Sequence, residues 1–104
     1  MSFKDYGKFD AVGLAELVRK KQVSAGELLD EAIARTANVD PRINEVVVTH
    51  YDHAKQQIAR GLPDGPFTGV PFLLKDLDLL QGTVTTFGAT VFRNHVADHT
   101  GTLT

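Results

Sequence analysis

Apolar residues at helical spacing predict a first helix close to the N-terminus. Asp10 is placed to cap this helix, because a carboxylate can accept hydrogen bonds from the free N–H groups of a first turn. The helix is expected to end near Lys20 and Lys21, whose charges suit the negative end of the helix dipole. The side chains that share its apolar face are Leu14, Leu17 and Val18.

A capping box and a longer periodic run predict a second helix. Ser24 and Glu27 stand three residues apart, the spacing at which each side chain can accept the other residue's backbone N–H. The helix is expected to end at Asp40-Pro41, because a proline disfavours helical geometry in the residue before it. The apolar positions that recur at helical spacing are Leu28, Leu29, Ala32 and Ile33.

The next segment predicts a strand and then a third helix. Residues 45–49 are β-branched and almost continuously apolar, the pattern of a strand that is covered on both faces. Asp52 is placed to cap the third helix, on which Ala54 and Ile58 lie one turn apart and which Gly61 is expected to end. A covered strand between helices predicts a layered α/β architecture.

A loop rich in proline and glycine then leads to a second predicted strand. Residues 62–71 interleave the two residue types, which forbids regular structure. This loop could line a substrate channel or be a rigid surface connection, and the residues leave both open. Residues 72–76 form an apolar run that predicts a buried strand with Lys75 near its end. Residues 83–86 predict a short extended piece before a turn at Phe87 and Gly88.

The composition narrows the class of protein without giving a function. The 104 residues are 42% hydrophobic and 23% charged, with a formal net charge of -2 and no cysteine. Because the basic residues are scattered, the sequence predicts no nucleic-acid partner. The lack of cysteine excludes disulfides, thiolate metal sites and a cysteine nucleophile. No segment has the pattern of a signal peptide or a membrane span, which predicts no membrane association and a cytoplasmic location.

Four histidines raise the question of a metal site. His50 and His53, and likewise His95 and His99, have spacings that a helix could bring to one face. Neither pair is predicted to lie on one helix, and no cysteine or carboxylate cluster completes it. The glycines form no dinucleotide-binding or phosphate-binding motif, and there is no G-x-S-x-G nucleophile motif. The sequence therefore predicts no metal and no cofactor.

The most informative segment is G-V-P-F-L-L-K-D at residues 69–76, with G-P-F before it and a Gly- and Thr-rich stretch after it. It resembles the amidase-signature family, in which a G-x-P-x-x-x-K-D strand presents a catalytic lysine. Upstream, D-P-R-I-N at residues 40–44 and, downstream, D-H-T-G-T-L at residues 98–103 extend the resemblance over nearly the whole chain. The sequence of residues 65–77 is most similar to family members that act on small or cyclic amides, including the aminohexanoate cyclic-dimer hydrolases.

The resemblance implies a fold and one catalytic residue. The expected fold class is α/β: residues 1–104 would be the N-terminal portion of a single amidase-signature domain, with its helices and the first strands of its mixed sheet. Lys75 takes the place of the family's catalytic lysine, which acts with two serines, one held by a cis peptide. This sequence has only Ser2, at the terminus, and Ser24, better explained as a helix cap. The chain is expected to stop before the family's serine-bearing loop.

The resemblance also implies an activity, the hydrolysis of carbon–nitrogen bonds in small-molecule carboxamides through a Ser-cisSer-Lys mechanism. A lysine side chain in water has a pKa of about 10.4, so desolvation must lower this value before the amine can accept a serine proton. The apolar residues 72–74 are expected to supply that desolvation. Asp76 is expected to hold the turn or the lysine rather than to take a chemical step.

Other interpretations stay open. Without the surrounding wording, Lys75 would be a lysine that leaves a strand for solvent, paired with Asp76 or Asp78. A second hypothesis is a catalytically inactive, truncated fragment that acts as an association module, as a homo-oligomer or through an exposed sheet edge. A third is an independent binding module that merely echoes the motif, which would be a compact monomer.

Overall fold

The computed structural model describes residues 3–104, which form two compact units. The first, here called the helical unit, comprises residues 3–45 together with Tyr51–Pro71. The second, here called the loop unit, comprises Val46–His50 and Phe72–Thr104. The division of the chain separates the predicted helices from the segment that carries Lys75. Whether the whole chain is one domain stays a prediction.

Helix α1, Ala11–Arg19, begins where the sequence predicts it. The carboxylate of Asp10 accepts a hydrogen bond from the Gly13 N–H at 2.8 Å. Helix α2, Ala25–Ile43, begins with the predicted capping box. The Ser24 hydroxyl accepts the Glu27 N–H at 3.1 Å, and the Glu27 carboxylate accepts the Ser24 N–H at 3.3 Å. Both helix starts are therefore confirmed.

The core of the helical unit lies between α1, α2 and the segment that joins them. Leu14 and Leu28 face each other's helix, Val23 fills the junction, and all three are buried, Leu28 completely. A ring of partly buried residues packs against this cluster, consisting of Phe3, Tyr6, Leu17, Val18 and Val70. The predicted apolar face of α1 and Leu28 of α2 therefore share one core.

A 3₁₀ helix, Lys4–Lys8, precedes α1 and lies against α2. Arg35 holds it there: its guanidinium lies 5.3 Å from the centre of the Tyr6 ring and donates to the Lys4 carbonyl at 3.3 Å. The same guanidinium donates to the buried carboxylate of Glu31 at 2.8 Å. Burial raises the pKa of Tyr6 above its ordinary value. The contacts of Arg35 with Lys4 and Tyr6 join residues distant in sequence, so no local pattern predicts them.

Helix α2 ends later than predicted. It continues through Asp40 and Pro41 and ends at Asn44, which adopts left-handed backbone geometry with a φ of 52°. Pro41 lies in the last turn and lacks the N–H that would otherwise donate to a carbonyl of the preceding turn. The Asp40 carboxylate then accepts the Glu45 N–H at 2.8 Å and closes the helix end. The predicted end at Asp40-Pro41 is therefore wrong by one turn.

Helix α3, Tyr51–Arg60, packs against α2. Asp52 lies inside its first turn rather than in the capping position before it, so the predicted start is displaced. Gly61 follows the last turn with a φ of 93° and donates its N–H to the Ile58 carbonyl at 3.2 Å. The predicted glycine end of the helix is therefore confirmed. No helix within residues 3–104 is long and apolar enough to cross a membrane.

The predicted α/β fold class is wrong for the part of the chain that the structure describes. Residues 45–49 and 72–76 have no regular structure, and residues 3–104 contain no strand. Phe72 is 84% exposed and Leu73 is 69% exposed, so neither is covered as a buried strand requires. The physical reason is that a strand must pair with an adjacent strand along a ladder of N–H and C=O groups, and no such ladder forms at these two segments within the described residues.

One short extended pairing does form in the loop unit. An isolated antiparallel bridge joins Val84 to Val96, and the turn that follows is closed by the Ala89 N–H, which donates to the Thr86 carbonyl at 2.9 Å. The predicted short extended piece before a turn is therefore confirmed. A second 3₁₀ helix, Thr90–Phe92, lies between the two bridged segments.

Replacing Gly69 with alanine is expected to lower the free energy of unfolding of the helical unit by about 2–4 kcal/mol. Gly69 has a φ of 88°, and an added Cβ would lie 3.0 Å from a methyl group of Val18 and 3.3 Å from the Cβ of Ala25. Urea unfolding followed by helical circular dichroism measures this. Gly61 is the matched control, because its φ is 93° with nothing within 4 Å. Gly61→Ala should lose only about 1–2 kcal/mol, and equal losses would contradict the packing argument.

Candidate active site

Lys75 lies in the loop unit at the start of a turn. Its carbonyl accepts two backbone hydrogen bonds, from the Leu77 N–H at 2.8 Å and from the Asp78 N–H at 3.0 Å. Its side chain is exposed, and among the described residues no ion pair joins it to Asp76 or Asp78. The backbone of the predicted catalytic residue is thus fixed, while its amine projects into open space. The chemical role of Lys75 stays a prediction.

Asp76, the next residue, is bound to Thr86. One carboxylate oxygen accepts the Thr86 N–H at 2.8 Å, and the other accepts a short hydrogen bond from the Thr86 hydroxyl. The Thr86 hydroxyl oxygen in turn accepts the Gly88 N–H at 3.3 Å. The hydrogen bond from the Thr86 hydroxyl, followed by that from its N–H, holds the pKa of Asp76 below its ordinary value. Asp76 therefore holds the turn at Thr86, and its expected lack of a chemical step stays a prediction.

The segment that carries Thr86 is supported by an antiparallel pairing. The Thr85 N–H donates to the His95 carbonyl at 3.0 Å, and the Ala97 N–H donates to the Thr83 carbonyl at 2.9 Å. Thr85 and Ala97 are each only 2% exposed. Because these buried residues flank the bridge, Thr86 meets Asp76 from a buried, hydrogen-bonded part of the loop unit.

An aromatic group closes the end of this pairing. The rings of Phe87 and Phe92 meet edge to face with centroids 5.3 Å apart, and the His95 ring lies 5.7 Å from Phe87. Phe87 and Gly88 both have positive φ angles, of 52° and 70°, which produce the tight turn after Thr86. The turn residues therefore place the Thr86 hydroxyl between Gly88 and Asp76.

The expected desolvation of the lysine is absent from the described residues. Phe72 and Leu73 point their side chains largely into solvent, and Lys75 is exposed with them. An apolar run lowers the dielectric around an amine only when both are covered. The prediction that residues 72–74 supply this environment is therefore wrong for the part of the chain that the structure describes.

Of the two serines in the chain, one has a structural role among the described residues. Ser24 is occupied in the α2 capping box, in the helical unit, and its predicted role as a cap is confirmed. Ser2 lies outside the described residues. The described residues thus contain a candidate base without a serine committed to it.

The histidines are placed apart from any ligand cluster. Among residues 3–104, no group of three or more His, Cys, Asp or Glu side chains is arranged to hold a metal ion. His99 contacts the neighbouring carboxylate of Asp98 at 2.6 Å, and this contact lowers the pKa of Asp98. His95 belongs to the aromatic group described above.

Sequence inspection missed Thr86 as a partner of the lysine segment. The available signal was the Thr85-Thr86 pair in the Gly- and Thr-rich stretch, ten residues after the Lys-Asp pair. Nothing local tells which of the two hydroxyls turns toward Asp76. The structure buries Thr85 and directs Thr86 to the carboxylate.

Acid is expected to weaken the Asp76–Thr86 link. Because the pKa of Asp76 is lower in the folded chain than in the unfolded one, its contribution to stability is complete above about pH 4 and is lost as the pH falls through the folded-state value. The NMR resonance of the Thr86 amide should titrate with a midpoint below about 3.9. Asp76→Asn should abolish this titration and Asp98→Asn should leave it unchanged. A midpoint at or above the ordinary value would contradict the link.

Comparison with known proteins agrees with the family resemblance that the Lys-Asp segment indicates. The model of the family described as Amidase matches residues 27–104. The 6-aminohexanoate-cyclic-dimer hydrolases of Pseudomonas sp. (strain NK87) and Paenarthrobacter ureafaciens are each 44% identical to this chain over 78 residues, which are 74% of this chain and 15% of each relative. The lipoamidase of Enterococcus faecalis is 40% identical over 101 residues, 94% of this chain and 14% of that protein.

A solved structure supports the same assignment. The structure of a 6-aminohexanoate cyclic dimer hydrolase superposes with a TM-score of 0.68 and 40% identity, over 75% of this chain and 16% of that one. The chain spans 14% to 15% of the length of the curated relatives named above. The matched residues 27–104 include most of helix α2, the Lys-Asp pair and Thr86. On this evidence the chain belongs to the Amidase family.

Proposed function

We propose that these residues supply the general base of an amidase, an enzyme that hydrolyses carbon–nitrogen bonds in carboxamides. The observation that carries the proposal is the placement of Lys75. In a chain of the Amidase family, Lys75 stands on a turn in which its carbonyl accepts two backbone N–H groups and the next residue, Asp76, is bound to Thr86. Its amine has no ion pair among the described residues. An unpaired amine on a fixed backbone suits proton transfer.

The proposed chemistry needs a serine from outside the described residues. The neutral amine of Lys75 takes the proton of a serine hydroxyl, and the serine oxygen bonds to the amide carbon. The carbon–nitrogen bond then breaks, and the leaving amine departs with a proton. Water attacks the resulting ester, releases the carboxylic acid and restores the serine. A second serine that relays the proton, as in a Ser-cisSer-Lys set, belongs to this proposal.

The exposed apolar residues beside Lys75 support the same proposal. Phe72 and Leu73 leave more than two thirds of their surface uncovered, which is unusual for large apolar side chains that follow one another. If the serine-bearing part of an amidase covers them, the lysine amine loses water at the same time. That single packing step would give the amine the dry environment that a lysine base requires.

A second candidate function is an association module without catalysis. The same exposed pair, Phe72 and Leu73, favours it, because an uncovered apolar surface promotes association with another copy or another chain. The predicted sheet edge cannot mediate this association within residues 3–104, where no strand forms. A homo-oligomer formed through the exposed pair is the form that this alternative takes.

Turnover separates the two proposals. The protein is expressed from its own gene and purified, and its mass is measured by intact mass spectrometry. The protein and its Lys75→Ala variant are then assayed on a simple carboxamide and on the cyclic dimer of 6-aminohexanoate. Turnover that depends on Lys75 supports the amidase. A folded oligomer without turnover favours the association module, and turnover indifferent to Lys75 contradicts the proposed mechanism. A small-molecule amide as substrate and a cytoplasmic location stay predictions.

A further inference from the structure

The bonds around Asp76 form a continuous chain of donors and acceptors. Gly88 donates its N–H to the Thr86 hydroxyl oxygen, and Thr86 donates both its hydroxyl and its N–H to the Asp76 carboxylate. Asp76 is joined by a peptide bond to Lys75, whose carbonyl is held by the next two N–H groups. The backbone of the lysine is therefore tied to a turn ten residues away.

The Asp76 carboxylate binds Thr86 and does not act as an ion-pair partner of the adjacent Lys75. Both carboxylate oxygens are engaged by Thr86, and the described residues contain no ion pair between Asp76 and Lys75. A carboxylate that already accepts two hydrogen bonds is a poor acceptor for a further proton, in keeping with its lowered pKa. Its hydrogen bonds hold the chain rather than transfer a proton.

The segment around Lys75 has no regular secondary structure that could fix its backbone instead. Residues 72–80 contain neither helix nor strand, and the side chains of Phe72 and Leu73 are largely exposed. A base that must meet a hydroxyl within hydrogen-bond distance loses rate steeply when it is misplaced, by about 10²-fold for an error near 1 Å. An irregular segment that presents such a base needs side-chain ties.

We infer that Asp76 and Thr86 are positioning residues that fix the backbone beneath Lys75 for catalysis. The inference rests on the proposed function, since it assigns Lys75 the role of base. Thr86 supplies two donors and Asp76 supplies two acceptors, so the pair defines both the distance and the direction of the tie. Removing the hydroxyl leaves one carboxylate oxygen without its partner and frees the turn at Lys75.

The first test measures backbone order by NMR relaxation in the purified protein, expressed from its own gene. In Thr86→Val, the amide order parameters of Lys75 and Leu77 should fall from about 0.85 toward about 0.6. Thr86→Ser keeps the hydroxyl and should restore them. Thr83→Val is the matched control, because the Thr83 hydroxyl donates to the Leu80 carbonyl at 2.8 Å and does not reach Asp76. Order at Lys75 that is unchanged in Thr86→Val would overturn the inference.

The second test measures turnover in the same variants. Thr86→Val should lower kcat by about tenfold to a hundredfold with little change in KM, because the base is displaced while substrate binding is not. Thr86→Ser should recover most of kcat, and Thr83→Val should stay within about twofold of the parent. An equal loss of kcat in Thr83→Val would identify a merely structural role and overturn the inference.

Two further variants keep this inference separable from the proposed function. If Thr86→Val unfolds the loop unit, Asp76→Asn carries both measurements, because an amide still accepts the Thr86 N–H but loses one acceptor. If Lys75→Ala keeps full turnover, the proposed function fails, and the order parameters alone decide whether the tie exists. If Lys75→Ala abolishes turnover while Thr86→Val changes neither order nor kcat, the proposed function stands and the positioning role is wrong.

Discussion

Leu28→Ala is expected to lower the free energy of unfolding of the helical unit by about 2–5 kcal/mol. Leu28 is 0% exposed and packs with Leu14 and Val23 in the buried cluster between α1 and α2. The loss has two sources, the apolar surface that alanine no longer buries and the cavity that it leaves. Because small domains are marginally stable, a loss of this size removes much of the margin that keeps the two helices together.

Urea unfolding followed by helical circular dichroism measures the effect, since the three α-helices all lie in the helical unit. Leu103→Ala is the matched control, because the same substitution is made at a side chain that is 95% exposed. The control should change stability by less than about 0.5 kcal/mol. Similar losses in the two variants would show that Leu28 does not hold the core as described.

The helices could be predicted because their signals are local. Asp10 and the Ser24–Glu27 box bind backbone groups within three residues of themselves, so the sequence contains both partners of each bond side by side. The apolar residues of α1 and α2 recur at a period that only a helix can satisfy. The same local logic placed Gly61 after α3, where its φ of 93° ends the helix.

The end of α2 could not be predicted because a local preference was overridden. A proline disfavours helical geometry in the residue before it, yet α2 continues through Pro41 to Ile43. The hydrogen bond from the Glu45 N–H to the Asp40 carboxylate closes the helix beyond Pro41. Asn44, in left-handed geometry, then lets the chain leave the helix.

The strands were predicted wrongly because a strand is not a local structure. Residues 45–49 and 72–76 have the composition of covered strands, and composition records only what they could bury. A sheet also requires a neighbouring strand to pair with, and no strand forms within residues 3–104. The exposed side chains of Phe72 and Leu73 are the direct result.

The candidate site could be predicted in part. Lys75 was identified from the wording of residues 69–76, and that identification needs no coordinates. Thr86, the hydrogen-bond partner of Asp76, lies ten positions beyond it, and only folding brings Asp76 and Thr86 together. The fixed backbone at Lys75 is therefore a property of the structure, whereas the choice of lysine is a property of the sequence.

Replacing Lys75 is expected to have the largest effect on activity. Lys75→Ala should lower kcat by about 10²–10⁴-fold, the range that a general base contributes, while KM changes little. Lys75→Arg should be almost as inactive, because a guanidinium keeps its proton and cannot accept one from a hydroxyl. Lys55→Ala, at an exposed position on α3, should leave turnover unchanged. Circular dichroism of each variant confirms that the chain is folded.

A chimeric enzyme tests the role of Lys75 in a protein that supplies its own serines. Residues 27–104 replace the aligned segment of the 6-aminohexanoate-cyclic-dimer hydrolase of Paenarthrobacter ureafaciens, which is 44% identical over 78 residues. The chimeric enzyme should hydrolyse amides, and Lys75→Ala and Lys75→Arg within it should each lose about 10²–10⁴-fold in kcat. An active chimeric enzyme in which Lys75→Arg keeps more than half of its turnover would contradict a base and would instead assign Lys75 the role of a fixed positive charge.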